Sequence, residues 1–306
     1  MRGAWAAAIA ACLVAAADTR AEPGPPAAIQ LAALAPADDA RRAVAIGRDG
    51  EVYEPDGKGA WIHRLASSTA DPVVAAGRAG SAVVALGRGV IYRLGGNGWS
   101  AIRLVQHGKA ILGEGGRALA AVGRQLFALD QATHGEPTRL VQAPADIVSI
   151  GAGATAIVVA TEAGVFRVTG GKLVAVKPAL GRARLVSDRW ALVDRGAVDL
   201  TTSRLTAWPA GLAIGAAAAG PGDALVAVGA GRAGLELVTV AAGKLARDPL
   251  GITGTAVGVV ADRAGRAVVA LSDGRIALRD RAGWTVTQVA DAPAPDHPGP
   301  APAVSG

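Results

Sequence analysis

The chain is poor in the residues that most often carry chemistry: it has one cysteine, one methionine and four histidines in 306 residues. Cys12 lies inside an apolar N-terminal run, so a chain cut behind that run holds no thiol, which excludes disulfide stapling and thiolate catalysis. His63, His107, His134 and His297 are scattered. None has a His or acid partner at zinc spacing, and none accompanies a G-x-S-x-G turn. Asp-Gly turns such as Gly47 to Glu51 and Ser272 to Gly274 carry too few carboxylates for a dedicated calcium loop and instead read as tight hairpin turns. No metal, no cofactor and no catalytic set is expected.

Lysine is scarce as well, five residues against 26 arginines. GC-rich coding produces that skew by itself, so it is not evidence for nucleic-acid binding. The basic residues form no helix and are not interleaved with stacking aromatics, which argues against nucleic acid as a partner. Net charge is +6 for the whole chain and falls to about +5 once Arg2, Asp18 and Arg20 are removed, a balance that favours acidic partners.

The two ends stand apart from the rest. Arg2 followed by the apolar run Ala4 to Ala17, with small residues for cleavage after Ala17 or Ala21, predicts a signal peptide over residues 1–21 and a periplasmic or secreted protein. The run is too short to span a bilayer. Ile9 to Cys12 resembles a lipobox, so membrane association is expected only if Cys12 is lipidated. Residues 291–306 hold five prolines and no apolar period, and predict a disordered tail.

Residues 22–290 repeat themselves. Segments opening at Ala43, Ala82, Ala118, Ala156, Trp190, Ala224 and Ala267 share one grammar: a short run of small or β-branched residues, a turn, an alternating strand, a polar turn and a last strand. Most are preceded by a further apolar stretch, such as Ile29 to Leu34, Val73 to Gly77, Ile147 to Ile150, Ala213 to Ala217 or Ala256 to Ala261, giving four strands per unit. Four strands in each of seven near-equal units predict an all-β, seven-bladed β-propeller with four antiparallel strands per blade. A solenoid is disfavoured because the terminal units look like the inner ones and not like polar caps.

Aromatics support the register. Both tyrosines and both phenylalanines, Tyr53, Tyr92, Phe127 and Phe166, fall on nearly the same third-strand position of blades one to four, and Trp61, Trp99 and Trp284 open the fourth strand of theirs. All are expected to pack between blades. Over about Ile29 to Val289 the repeats resemble those of secreted bacterial β-propellers. The resemblance is one of architecture: the Trp-Asp ending of WD40 repeats, the kelch glycine pair and a complete Asp-box are absent, and only Gly96 to Trp99 keeps part of the last.

One pattern points to function. The turn between the second and third strands carries an arginine in six blades, Arg48, Arg88, Arg124, Arg195, Arg232 and Arg275, with Glu162 in the fourth. Equivalent turns of a propeller share one face, so a ring of guanidinium groups is expected there, joined by Lys109, Lys177 and Arg182. Asp49, Asp194 and Asp273 neighbour the ring, and the opposite turns also hold arginine, at Arg42, Arg78, Arg117, Arg189, Arg263 and Arg266. The first reading is a monomeric, non-catalytic scaffold of the cell envelope that binds a protein or an anionic envelope polymer through this basic face. The second is a carbohydrate-active enzyme or lectin whose acids converge in space, with Glu114, Asp146 and Asp188 as candidates.

Overall fold

The computed structural model describes residues 29–289, apart from 38, 66–68, 70, 80–81, 104–109, 113–117, 130–136, 154–155, 177–179 and 181–182. The expected leader (1–21) and tail (291–306) lie outside the described residues.

Among the described residues twenty-eight strands form seven four-stranded antiparallel sheets, each built from consecutive strands. Blade 1 comprises β1 (Leu31–Ala35), β2 (Val44–Gly47), β3 (Val52–Pro55) and β4 (Trp61–Leu65). Blade 2 follows as β5 (Ala75–Ala79), β6 (Ala82–Leu86), β7 (Val90–Gly95) and β8 (Gly98–Arg103). In blade 3 the strands are β9 (Ala110–Leu112), β10 (Leu119–Val122), β11 (Gln125–Ala128) and β12 (Thr138–Gln142). Blade 4 holds β13 (Ile147–Ala152), β14 (Ile157–Thr161), β15 (Gly164–Thr169) and β16 (Lys172–Ala175). Blade 5 is the smallest, with β17 (Arg184–Leu185), β18 (Trp190–Val193), β19 (Gly196–Asp199) and β20 (Arg204–Ala207). Blade 6 has β21 (Ala213–Ala219), β22 (Leu225–Gly231), β23 (Gly234–Ala241) and β24 (Lys244–Pro249), and blade 7 has β25 (Ala256–Ala261), β26 (Ala267–Leu271), β27 (Arg275–Asp280) and β28 (Gly283–Gln288).

Strand alternation explains why the blades associate. Along β2, Val44 and Ile46 pack toward blade 2, while Ala45 faces blade 7. Along β6, Val83 and Ala85 face blade 1, and Val84 and Leu86 face blade 3. A period of two on a strand buried on both sides gives each blade two apolar faces. Seven separate core clusters result, one at each interface between neighbouring blades. The seventh joins Leu34, Ala45 and Tyr53 of blade 1 to Val260, Val268 and Ile276 of blade 7, which closes the ring.

The third-strand aromatics all turn the same way. Tyr53 packs toward blade 7, Tyr92 toward blade 1, Phe127 toward blade 2 and Phe166 toward blade 3, each opposite a small or β-branched second-strand residue such as Ala45 or Ala85. Trp61, Trp99 and Trp284 also face their preceding blades, and the Trp99 indole donates to the Gly50 carbonyl of blade 1 at 2.6 Å.

Among the described residues closure uses no exchanged strand, since all of β25 to β28 and all of β1 to β4 are contiguous within their sheets. Beyond apolar packing the join is polar. The Ala40 N–H donates to Asp262 Oδ2 at 3.2 Å, and Arg266 bridges Asp262 at 2.7 Å and Asp39 at 3.0 Å. Close approach at the join also requires Gly258, where a Cβ would lie 2.5 Å from Leu34 Cβ.

Candidate functional site

The six ring arginines lie where the repeat grammar put them. Arg48, Arg88, Arg124, Arg195 and Arg232 occupy the turns between second and third strands, and Arg275 opens β27. Tight closure of these turns uses left-handed glycines, for example Gly89 at φ 89° and Gly274 at φ 84°. The turns touch the chain as it leaves a fourth strand or approaches the next first strand: Val73 N–H donates to Arg48 O at 2.7 Å, Ala143 N–H to Arg124 O at 2.8 Å and Trp208 N–H to Arg195 O at 3.0 Å. The two kinds of connection therefore form one face.

Within that face the arginines divide. Arg48, Arg88, Arg124, Arg195 and Arg232 are exposed, and among the described residues their side chains make no ion pair or hydrogen bond. Arg275 is half-buried. It grips Asp273 Oδ2 through Nε at 2.9 Å and Nη2 at 2.6 Å, and donates to Thr253 O at 2.7 Å. The bond from Arg275 holds the Asp273 carboxyl below its usual range despite the opposing effect of burial. Acidic groups are interleaved: Asp49, Asp146 and Asp194 are exposed on the same face. Lys109, Lys177 and Arg182 lie outside the described residues.

The opposite face treats arginine differently. Arg78 of blade 2 donates to the carbonyls of Pro36 and Arg42 in blade 1. Arg189 of blade 5 pairs with Asp199 at 2.9 Å and with Asp223 of blade 6 at 3.0 Å, and lies 5.6 Å over the Trp190 ring. Trp190, 1% exposed, donates its indole N–H to Asp223 O at 2.8 Å. Burial alone would raise the Asp199 carboxyl, but hydrogen bonds from Thr201 and Arg189 outweigh it and bring it down to about 2. Arg42 and Arg263 are exposed there, and Arg117 lies outside the described residues.

Of the acids proposed for a carbohydrate site, Asp146 and Asp188 do not converge. Asp146 precedes β13 and lies on the arginine-turn face, whereas Asp188 lies between β17 and β18 on the opposite one. A first strand has two ends, and sequence position near one of them did not say which. Glu114 lies outside the described residues. His63 packs against Tyr53 at 5.3 Å, while His107, His134 and His297 are not described. Among the described residues no group of three His, Cys, Asp or Glu side chains could hold a metal ion.

Sequence reasoning passed over two residues of this face, Val74 and Val148, which are 58% and 40% exposed at the start of the inner edge of their blades. In the sequence they are ordinary members of apolar strand starts, and only the local register sets them apart.

No protein-family model matches the sequence, and no curated protein does. Solved structures do. The WD40 β-propeller domain of Doa1 is similar with a TM-score of 0.60 at 13% identity, covering 83% of this chain and 94% of that one. A streptogramin B lyase structure reaches 0.60 at 14% identity, over 85% of this chain and 94% of the other. YCF48 bound to a D1 peptide reaches 0.57 at 14% identity, over 87% and 95%. At such identities the likeness is one of fold, and it agrees with the seven closed sheets: the chain is a seven-bladed β-propeller.

Proposed function

We propose that the chain is a non-catalytic protein-binding scaffold, exported to the cell envelope, that works through the face bearing Arg48, Arg88, Arg124, Arg195, Arg232 and Arg275. The observation that carries this reading is the set of five exposed guanidinium groups that have no partner among the described residues, held on short turns of a closed ring. Such groups keep their donors for an incoming carboxylate or carbonyl, and Arg is enriched at protein interfaces for that reason. Asp49, Asp146 and Asp194 stand among them, so a uniform polyanion would meet repulsion at several points. A protein surface of mixed charge fits such a pattern better than an envelope polymer does. A propeller of the same fold, YCF48, is seen holding a peptide, which is consistent with this use of the architecture. Export rests on Arg2 and the apolar run Ala4 to Ala17.

The test is cross-linking in envelope fractions of the native host with mature protein and with a variant carrying Gln at all six arginines. A partner captured by the first, released by moderate salt and lost by the folded variant supports the reading. Equal capture by both removes this face from consideration, and recovery of the protein in the cytosol with residues 1–21 intact removes export.

A further inference from the structure

The outer edges of the blades differ in one respect that the fold does not require. Each fourth strand is the rim of its sheet, with a strand on one side only. Six of the seven rims are net positive, with Arg64 in β4, Arg103 in β8, Arg139 in β12, Lys172 in β16, Arg204 in β20 and Lys244 in β24, which also ends in Pro249. Charge and proline on a rim strand discourage another strand from adding to it. β28 of blade 7 has neither. Its six residues, Gly283–Gln288, are uncharged, and Thr285, Val286 and Thr287 are β-branched and suited to a ladder.

The pairing of β28 with β27 decides which groups on that rim are open. In an antiparallel pair, residues alternate between those that bond the neighbouring strand and those that point their N–H and C=O away from it. Val289 N–H donates to Gly274 O at 3.0 Å, and stepping back along the register from there makes Thr287, Thr285 and Gly283 the bonded positions. Trp284, Val286 and Gln288 therefore turn their backbone groups outward, where nothing among the described residues bonds them. The Val286 residue is also 37% exposed.

We propose that β28 pairs antiparallel with β28 of a second copy of the chain, joining the two seventh blades into one sheet across a two-fold axis. The charge pattern selects this occupant. A two-fold axis sets a rim against itself, so a net positive rim meets its own sign, and like charges across a ladder destabilise it. The six other rims disfavour self-pairing on that ground, and β28 does not. Its register is also self-complementary. With the axis through Val286, Val286 faces its own copy, Trp284 faces Gln288 and Thr285 faces Thr287. The outward backbone groups then bond one another, because Trp284, Val286 and Gln288 share one parity along the strand. Thr285 and Thr287 become a cross-strand threonine pair, a favourable one in antiparallel sheets. The chain's own continuation is a poorer occupant, since residues 291–306 hold five prolines, which lack the N–H that a ladder uses. This contact is independent of the arginine face.

The test is sedimentation velocity of the mature protein over a concentration series, with amide hydrogen exchange at the same concentrations. Three proteins are compared: native, Val286→Lys, which sets two ammonium groups against each other on the axis, and Val174→Lys, a change at an exposed valine on the rim of blade 4. Circular-dichroism melting checks that both variants fold. The native protein is expected to dimerise reversibly, with exchange at Trp284, Val286 and Gln288 slowing as the dimer forms. Val286→Lys should raise the dimer dissociation constant at least about tenfold, and Val174→Lys should leave it unchanged. Exchange in the native protein carries the test by itself if Val286→Lys does not fold. A native protein that stays monomeric up to about 1 mM overturns the proposal. So does a dimer that Val286→Lys leaves intact, that Val174→Lys weakens equally, or whose protected amides lie off β28.

Discussion

The two faces of the ring spend the same residue type in opposite ways. On one, Arg78, Arg189 and Arg266 reach across blade boundaries to carbonyls and carboxylates and are drawn partly out of solvent. On the other, five arginines in equivalent turns make no side-chain ion pair or hydrogen bond among the described residues. The first pattern is what holding a ring together requires, because blades joined only by apolar packing can slide, and directional bonds fix their register. The second pattern contributes little to the fold, since exposed charges on turns are worth little to stability. Arg in one place is a tie and in the other an unused donor, and substitution separates the two.

The largest effect is expected where the tie is also the ring closure. Asp262 is 4% exposed and accepts from Ala40 N–H, Ala264 N–H, Arg266 N–H and Arg266 Nε. Asp262→Ala strands these donors and the Arg266 charge, and should lower unfolding free energy by about 3 kcal/mol, read by urea denaturation. A cost below that of an ordinary surface change would show that the apolar join between blades 1 and 7 is sufficient alone.

Next comes the blade 5 to blade 6 tie. Asp199 falls from a usual value of 3.8 to about 2 on folding. A carboxyl with a depressed folded pKa stabilises the fold above its unfolded pKa, and the contribution is lost as pH falls through the folded one. Asp199→Asn should therefore cost about 2 kcal/mol near neutral pH, with the gap to the native protein closing between pH 4 and pH 2. A gap that persists unchanged to pH 2 would assign the loss to hydrogen-bond geometry at Thr201, and not to charge.

Much of this was legible in the sequence, and what was not has a common cause. The period gave the blades, and the positions of Tyr53, Tyr92, Phe127 and Phe166 gave a register that the interblade clusters reproduce. First strands were readable at β13 or β25, where apolar runs are long, and not at β9 or β17, which span three and two residues. The location of the six arginine turns followed from grammar, because a turn is defined by its immediate neighbours. The ties did not. Arg189 meets a carboxylate 34 positions away, and Ala40 meets Asp262 at a separation of 222. Contacts of that kind depend on how blades are rotated against each other, which local pattern does not encode. The one-residue slips between first and second strands in blades 1, 4, 6 and 7 escape for the same reason: a slip is a property of two strands, and the sequence of one strand is silent on it.

The smallest effects are the sharpest test of the comparison, because they fall within a single ring. Arg275 differs from the other five in holding Asp273 and Thr253, with its side chain 30% exposed against 47% for Asp273. Screening at that exposure limits the pair, so Arg275→Gln should cost about 1 kcal/mol. Arg48→Gln, Arg88→Gln, Arg124→Gln, Arg195→Gln and Arg232→Gln should each stay within about 0.5 kcal/mol of the native protein. Thermal melts of the six single variants at matched salt check the ranking. If Arg275 alone stands out, the other five are free of the fold and available to a partner. A loss of Arg275 size at Arg48 or Arg124 would mean that these side chains already have structural work, and the distinction between the two faces would narrow accordingly.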